Sequence, residues 1–195
     1  MSKTLVMKFG GASVGSTDAL INATQIIRDA KKDWDRVVVV TSAMAGVTNL
    51  LLDSAASASH GKVDSLLDAE STLRQKHFAA ADALIKDTSL CEQTKSEINA
   101  LILSLVDLCK AIAVLGEASP RALDAVASLG ERMSVRLLAT VTASAGIKAQ
   151  AIESSQFVVT NAMLVPTIRP PTFVAKLPPV PRRCSGKTFG RYSPK

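Results

Sequence analysis

Residues 6–15 read VMKFGGASVG: an apolar run, one lysine, a glycine pair, then small residues and a third glycine. The run TLVMKF at 4–9 is a strand candidate, and GGASVGS leads out of it into a helical pattern near Asp18–Lys31. Ser16 or Thr17 is the expected N-cap. Glycines at a strand's end let backbone N–H groups approach phosphate oxygens, and a helix N-terminus just beyond adds positive potential. A lysine there supplies a point charge for a phosphoryl group in transfer. An ordinary tight turn beside a surface lysine fits the same letters. The segment is not a P-loop, and SGKT at 185–188 has Pro181 where the first P-loop glycine would stand.

The next strand fixes the fold class. RVVVV at 36–40 is β-branched and apolar on both faces, as a central parallel strand would be. It exits through TSAMAG into a helix from about Val47. Strand–loop–helix repeated twice predicts an α/β fold, a mainly parallel sheet with helices on both faces and ligand loops at the strands' carboxyl ends. A helical excursion is expected over roughly Val63–Lys86 and Leu90–Leu115, with His60 and His77 on solvated faces. Ser119 then Pro120 reads as N-cap and N1. Gly130 is expected to interrupt that helix, a second one running from about Glu131 to Ala143. KAQAI at 148–152 reads as a third strand.

Composition bounds the function. The chain has 195 residues, 47% hydrophobic, which can supply a core. Its net charge of +6 is confined to one end. From Ser154 onward there is no acidic residue, but there are Arg169, Lys176, Arg182, Arg183, Lys187, Arg191 and Lys195. Without these seven, 16 basic residues face 17 acidic ones, so the body gives no reason to expect nucleic-acid binding. Cys91, Cys109 and Cys184 are widely spaced and suggest neither zinc nor a disulfide framework, which fits reduced thiols in a cytoplasm. The longest apolar segment, LILSLVDLCKAIAVLG at 101–116, contains Asp107 and Lys110 and reads as a buried-face helix, not a membrane span. No signal peptide is read at the N-terminus.

Two further segments carry candidate chemistry. TSAMAGVTN (41–49) is a second small-residue loop at a strand's end. Its hydroxyls, Ser42 and Thr48, could hold a polar substrate or cap the following helix. Glu131, in SLGERMS (128–134), could pair with a substrate ammonium group or serve a helix dipole.

Together VMKFGGASVG, VVTSAMAGVTNLL and SPRALDAVASLGERMS resemble, in order and spacing, the N-terminal half of aspartate kinases in the amino-acid kinase family. IKAQAIESSQFVVTNA (147–162) is similar to the family segment that follows, and the resemblance spans roughly residues 3–161. It implies a partial amino-acid-kinase fold and transfer of the γ-phosphoryl of MgATP to the side-chain carboxylate of L-aspartate. That reaction opens the route to lysine, threonine and methionine. Carried over, Lys8 would be catalytic and, with Gly10, Gly11 and Ser13, bind the phosphates. Ser42, Thr48 and Glu131 would bind aspartate. No protein-bound metal is implied beyond the Mg2+ of the nucleotide. The SAMAGVTN and GERMS segments argue against a family member with another acceptor, such as an acetylglutamate or uridylate kinase.

The chain departs from the pattern at Ala12, where the family loop has threonine, and at Glu153 and Ser155, where it has aspartate and arginine. The TGFIG-like and GRGGSD-like loops, the adenine pocket and the ACT domains do not follow Asn161. Instead residues 162–195 hold seven of the eight prolines, and disorder is expected there. Residues 1–161 then form part of a catalytic domain. The abrupt shift suggests a reading-frame change or alternative splice within a longer coding sequence. An inactive truncated fragment or interaction module is the alternative function. An unfinished sheet edge favours self-association.

Overall fold

In the computed structural model, residues 3–63 and 65–153 are described, together with the backbone of 158–160 and 166–168. Strand β1 (Thr4–Phe9) and strand β2 (Arg36–Thr41) pair in parallel, Lys8 opposite Val40 and Phe9 opposite Thr41. Helix α1 (Thr17–Asp33) connects them. Ser16 caps it, its Oγ accepting from the Ala19 amide at 3.2 Å, with Asp18 in the first turn and Lys31 and Lys32 in the last. Both charge placements suit the helix dipole.

Alternation along the strands sorts the sheet into two faces. Leu5, Met7 and Phe9 share one face with Val37, Val39 and Thr41, and Met7, Phe9 and Val39 join the core. Val6, Val38 and Val40 lie on the other face and stay 66%, 47% and 48% exposed. The α/β reading with a helical excursion holds, but among the described residues helices cover only the inner face.

The excursion packs as helices α2 (Val47–Ser59), α3 (Ser65–Leu84), α4 (Thr88–Leu115) and α5 (Pro120–Ser144). Asp87 caps α4, accepting from the Leu90 amide at 2.9 Å. Ser119 and Pro120 open α5 as expected, the Ser119 hydroxyl accepting from Ala122. By length and composition α4 could cross a membrane. Its buried residues Cys91, Ile98, Leu101, Ile102, Leu105, Cys109 and Ile112 nevertheless follow the spacing of one core-facing stripe. Thr94 donates to Thr140 at 3.1 Å, joining α4 to α5, and Arg28 donates to the Ala145 carbonyl at 3.0 Å, joining α1 to the end of α5. Cys91 and Cys109 are buried free thiols, and burial pushes the Cys109 thiol up to about 11.

Three local expectations are corrected. Helix α5 runs unbroken through Gly130, because the missing side chain lets it press against α2 and the loop before it. Residues 148–152 form no strand; Lys148, Ala149 and Gln150 line a groove of about 400 Å³ beside Val37, Val38 and Val39 without joining their ladder. His77 is not on a solvated face but fully buried. His60 is exposed, with Nδ1 2.8 Å from the Ala56 carbonyl.

Met1–Ile152 form one compact unit and Glu153–Lys195 a second. In the second, β3 (Val158–Thr160) pairs antiparallel with β4 (Pro166–Ile168). Pro166 stands first in its strand, where a missing N–H is best tolerated. The rest of the tail, 169–195, and the expectation of disorder there lie outside the described residues, as do Ser155 and Cys184.

Candidate active site

The three segments singled out in the sequence meet at the carboxyl ends of β1 and β2. The Ser42 amide donates to the Phe9 carbonyl at 3.1 Å, extending the parallel pairing by one bond beyond the strands. After Phe9 the chain turns through a short 3-10 helix, Gly11–Val14, closed by the Ser13 amide on the Gly10 carbonyl at 2.9 Å. The first N–H groups of such a turn have no carbonyl within it to donate to.

Backbone packs on backbone here. A Cβ at Gly11 would lie 2.8 Å from the Ala43 carbonyl oxygen, and one at Gly15 would lie 2.9 Å from the Ala45 Cβ. The same loop touches α5: a Cβ at Gly130 would stand 2.9 Å from the Ala43 Cβ and 3.1 Å from Val47. Loop 42–46 is therefore clasped between the glycine turn and Gly130. Thr41 and Ser134 add a hydroxyl pair at 3.4 Å across the same junction, with Ser134 buried.

The predicted polar residues lie on the segments that meet at this junction. Lys8 is exposed at the end of β1, on the same face as Val6, Val38 and Val40. Among the described residues its ammonium has no ion-pair partner. Ser42 and Thr48 are half-buried, and neither caps a helix. The N-cap of α2 is Gly46, which holds φ +81° without a side-chain bond and so occupies backbone space that favours glycine. This leaves both hydroxyls open to a ligand. Ser13 is exposed on the glycine turn.

Glu131 departs from its expected setting. It lies inside α5, not at a helix start, so the dipole of an N-terminus does not act on it. Its carboxylate is exposed and makes no ion pair among the described residues. It directly follows Gly130, which packs on Ala43 and Val47.

The sequence model of the Amino acid kinase family matches residues 3–172. The chain belongs to this family. The aspartokinase of Schizosaccharomyces pombe is 31% identical over 163 residues, covering 79% of this chain and 30% of that one. Two solved structures of Escherichia coli aspartokinase III match at 29% identity. The complex with aspartate and ADP (R-state) gives a TM-score of 0.69, covering 82% of this chain and 33% of the other. The complex with lysine and aspartate (T-state) gives 0.67, covering 84% and 34%. The chain thus spans about a third of the length of these amino acid kinase relatives.

Two residues at this junction were not singled out from the sequence. Ser134 lay within a quoted segment, and its burial beside Thr41 is a tertiary fact. Lys76 of α3 donates from Nζ to the Ala45 carbonyl at 2.6 Å, 31 residues away in the chain. Nothing local distinguishes it from other helix lysines.

Proposed function

We propose that this chain carries the phosphoryl end of an aspartate kinase site, which transfers a phosphoryl group from MgATP to the side-chain carboxylate of L-aspartate to give 4-phospho-L-aspartate. The carrying observation is the contact of the glycine turn, loop 42–46 and Gly130, which joins the three segments that bear Lys8, Ser42, Thr48 and Glu131. The aspartate and ADP in the related E. coli structure support the choice of ligands.

The residues present suit the phosphate end of a nucleotide. Lys8 would cancel charge on the transferring group, while amides at Gly10 and Gly11 and the Ser13 hydroxyl would hold its oxygens. Ser42 and Thr48 would orient aspartate, and Glu131 would receive its ammonium group. A carboxylate is already nucleophilic, so aligning two anions and cancelling their repulsion is the main task. No general base is required.

Among the described residues no open cluster of ligands is left for Mg2+. Among the described residues the one grouping of three ligand-type side chains is Asp82, Cys91 and Glu92, and Lys95 already binds both carboxylates there. The ion would arrive on the nucleotide's phosphates, and no step is assigned to it. A cytoplasmic location belongs to the same proposal, supported by two buried, unpaired thiols.

The test is to incubate the purified chain with MgATP and L-aspartate and trap acyl phosphate as hydroxamate. Transfer predicts product that falls about 100-fold or more in Lys8→Ala, the usual scale for removing one preorganised charge-stabilising group. Equal, background-level product from both chains would overturn it. That outcome would favour a non-catalytic fragment or interaction module, for which the exposed valines of the outer sheet face speak.

A further inference from the structure

We propose that Lys76 is a positioning residue of this site: from α3 it ties the Ala45 carbonyl, and so holds loop 42–46 against the glycine turn. The inference rests on the functional reading above for what the turn binds, but the tie itself rests on geometry.

Ala45 is the pivot. Its Cβ packs at Gly15 and its N and Cα at Gly11, so any drift of Ala45 loosens both glycine contacts. The residue is exposed and is followed by Gly46, also exposed, at positive φ. Apolar burial therefore fixes Ala43 and Met44 but not the loop's apex. The backbone bonds around the apex run from Ser42 to Phe9, Val47 to Met44 and Leu50 to Gly46, and none of them engages Ala45. The Lys76 ammonium, 2.6 Å from the Ala45 oxygen, supplies the missing tie as a charge-assisted bond. Its base is rigid, because Leu73 and His77, on either side of Lys76 in α3, are fully buried. Only one ammonium hydrogen is used on Ala45, which also brings a positive charge close behind the phosphate-binding turn.

Amide hydrogen exchange on the full chain tests the tie. The Ser42, Val47 and Ser13 amides are hydrogen-bonded and sit on the clasped loop and turn. Lys76→Met keeps the aliphatic stem and removes the charge. It should speed exchange at these amides about tenfold, the factor expected for one hydrogen bond to a charged group. Amides of α4 and α5 should not change. Lys76→Arg, which keeps a cationic donor, should recover most of the protection. Affinity for inorganic triphosphate, measured by titration calorimetry, should fall severalfold in Lys76→Met and return in Lys76→Arg. Unchanged exchange at Ser42 and Val47 overturns the tie, and faster exchange with unaltered triphosphate affinity overturns the positioning role. If the unsubstituted chain binds no triphosphate, the functional reading fails, while the exchange rates still decide the tie.

Discussion

The imidazole of His77 is fully buried, its Nδ1 2.8 Å from the Leu73 carbonyl and its Nε2 without a partner. A carbonyl only accepts, so Nδ1 carries a proton, and burial favours the neutral ring with Nε2 bare. Burial holds its pKa below the ordinary histidine value of 6.5, and the nearby Lys76 charge acts in the same sense. The Leu73 bond opposes both without outweighing them. Between the folded and unfolded pKa values the unfolded chain binds the extra proton, so stability rises with pH. The contribution is complete above 6.5 and is lost as pH falls from there towards the depressed folded value. Denaturant melts between pH 7 and 5 should show this loss, at most about 1.4 kcal/mol per pH unit for one proton. His77→Leu should flatten it. Asp29 and Asp82, held below 3.8 chiefly by lysine partners, titrate in a lower window. The sequence did contain a signal for this burial: Leu73, His77, Ala80 and Ala81 recur at helical spacing. The polar residues immediately beside His77 masked it.

Capping chemistry made several element boundaries legible, because Ser16, Ser119 and Pro120 act through their own backbone neighbours. Helix α5 shows where that locality ends. Gly130 reads as a break because glycine costs about 1 kcal/mol in a helix interior. The compensating contact is with Ala43, Val47 and Leu51, which no local window contains. The same contact brings α5 against loop 42–46 by a route the sequence could not specify. Gly130→Val should destabilise the chain by about 1–3 kcal/mol. The added atoms meet three side chains buried to 2% exposure or less, and valine's better helix propensity offsets only part of the strain. Thermal melts measure the cost. If Gly130→Val proved as stable as the parent chain, the close packing of α5 on loop 42–46 would be refuted. KAQAI failed as a strand for a related reason: a β-compatible pattern forms a ladder only with a partner in register, and Lys148–Gln150 stand beside β2 without one.

At the scale of the molecule, the pattern RVVVV is that of a strand buried on both faces, yet the described residues bury one. The relatives that this chain matches are about three times as long. Val6, Val38 and Val40 then form an apolar strip that a second copy can cover, valine against valine across a two-fold axis. Lys8 stands on the same face, which sets two consequences. Such a dimer would cover the lysine that the kinase reading needs, so association and phosphate binding should compete. It would also bring like charges together, so association should strengthen as salt screens them. Sedimentation velocity on the 20.5 kDa chain checks both. The sedimentation coefficient should rise with protein concentration and with salt, and fall when inorganic triphosphate is added. Val38→Lys, at a position already 47% exposed, should leave the melt nearly unchanged and hold the chain monomeric. A parent chain that sediments as a monomer at every concentration would leave the valine face without a partner of its own kind. Association surviving Val38→Lys would move the contact away from this face altogether.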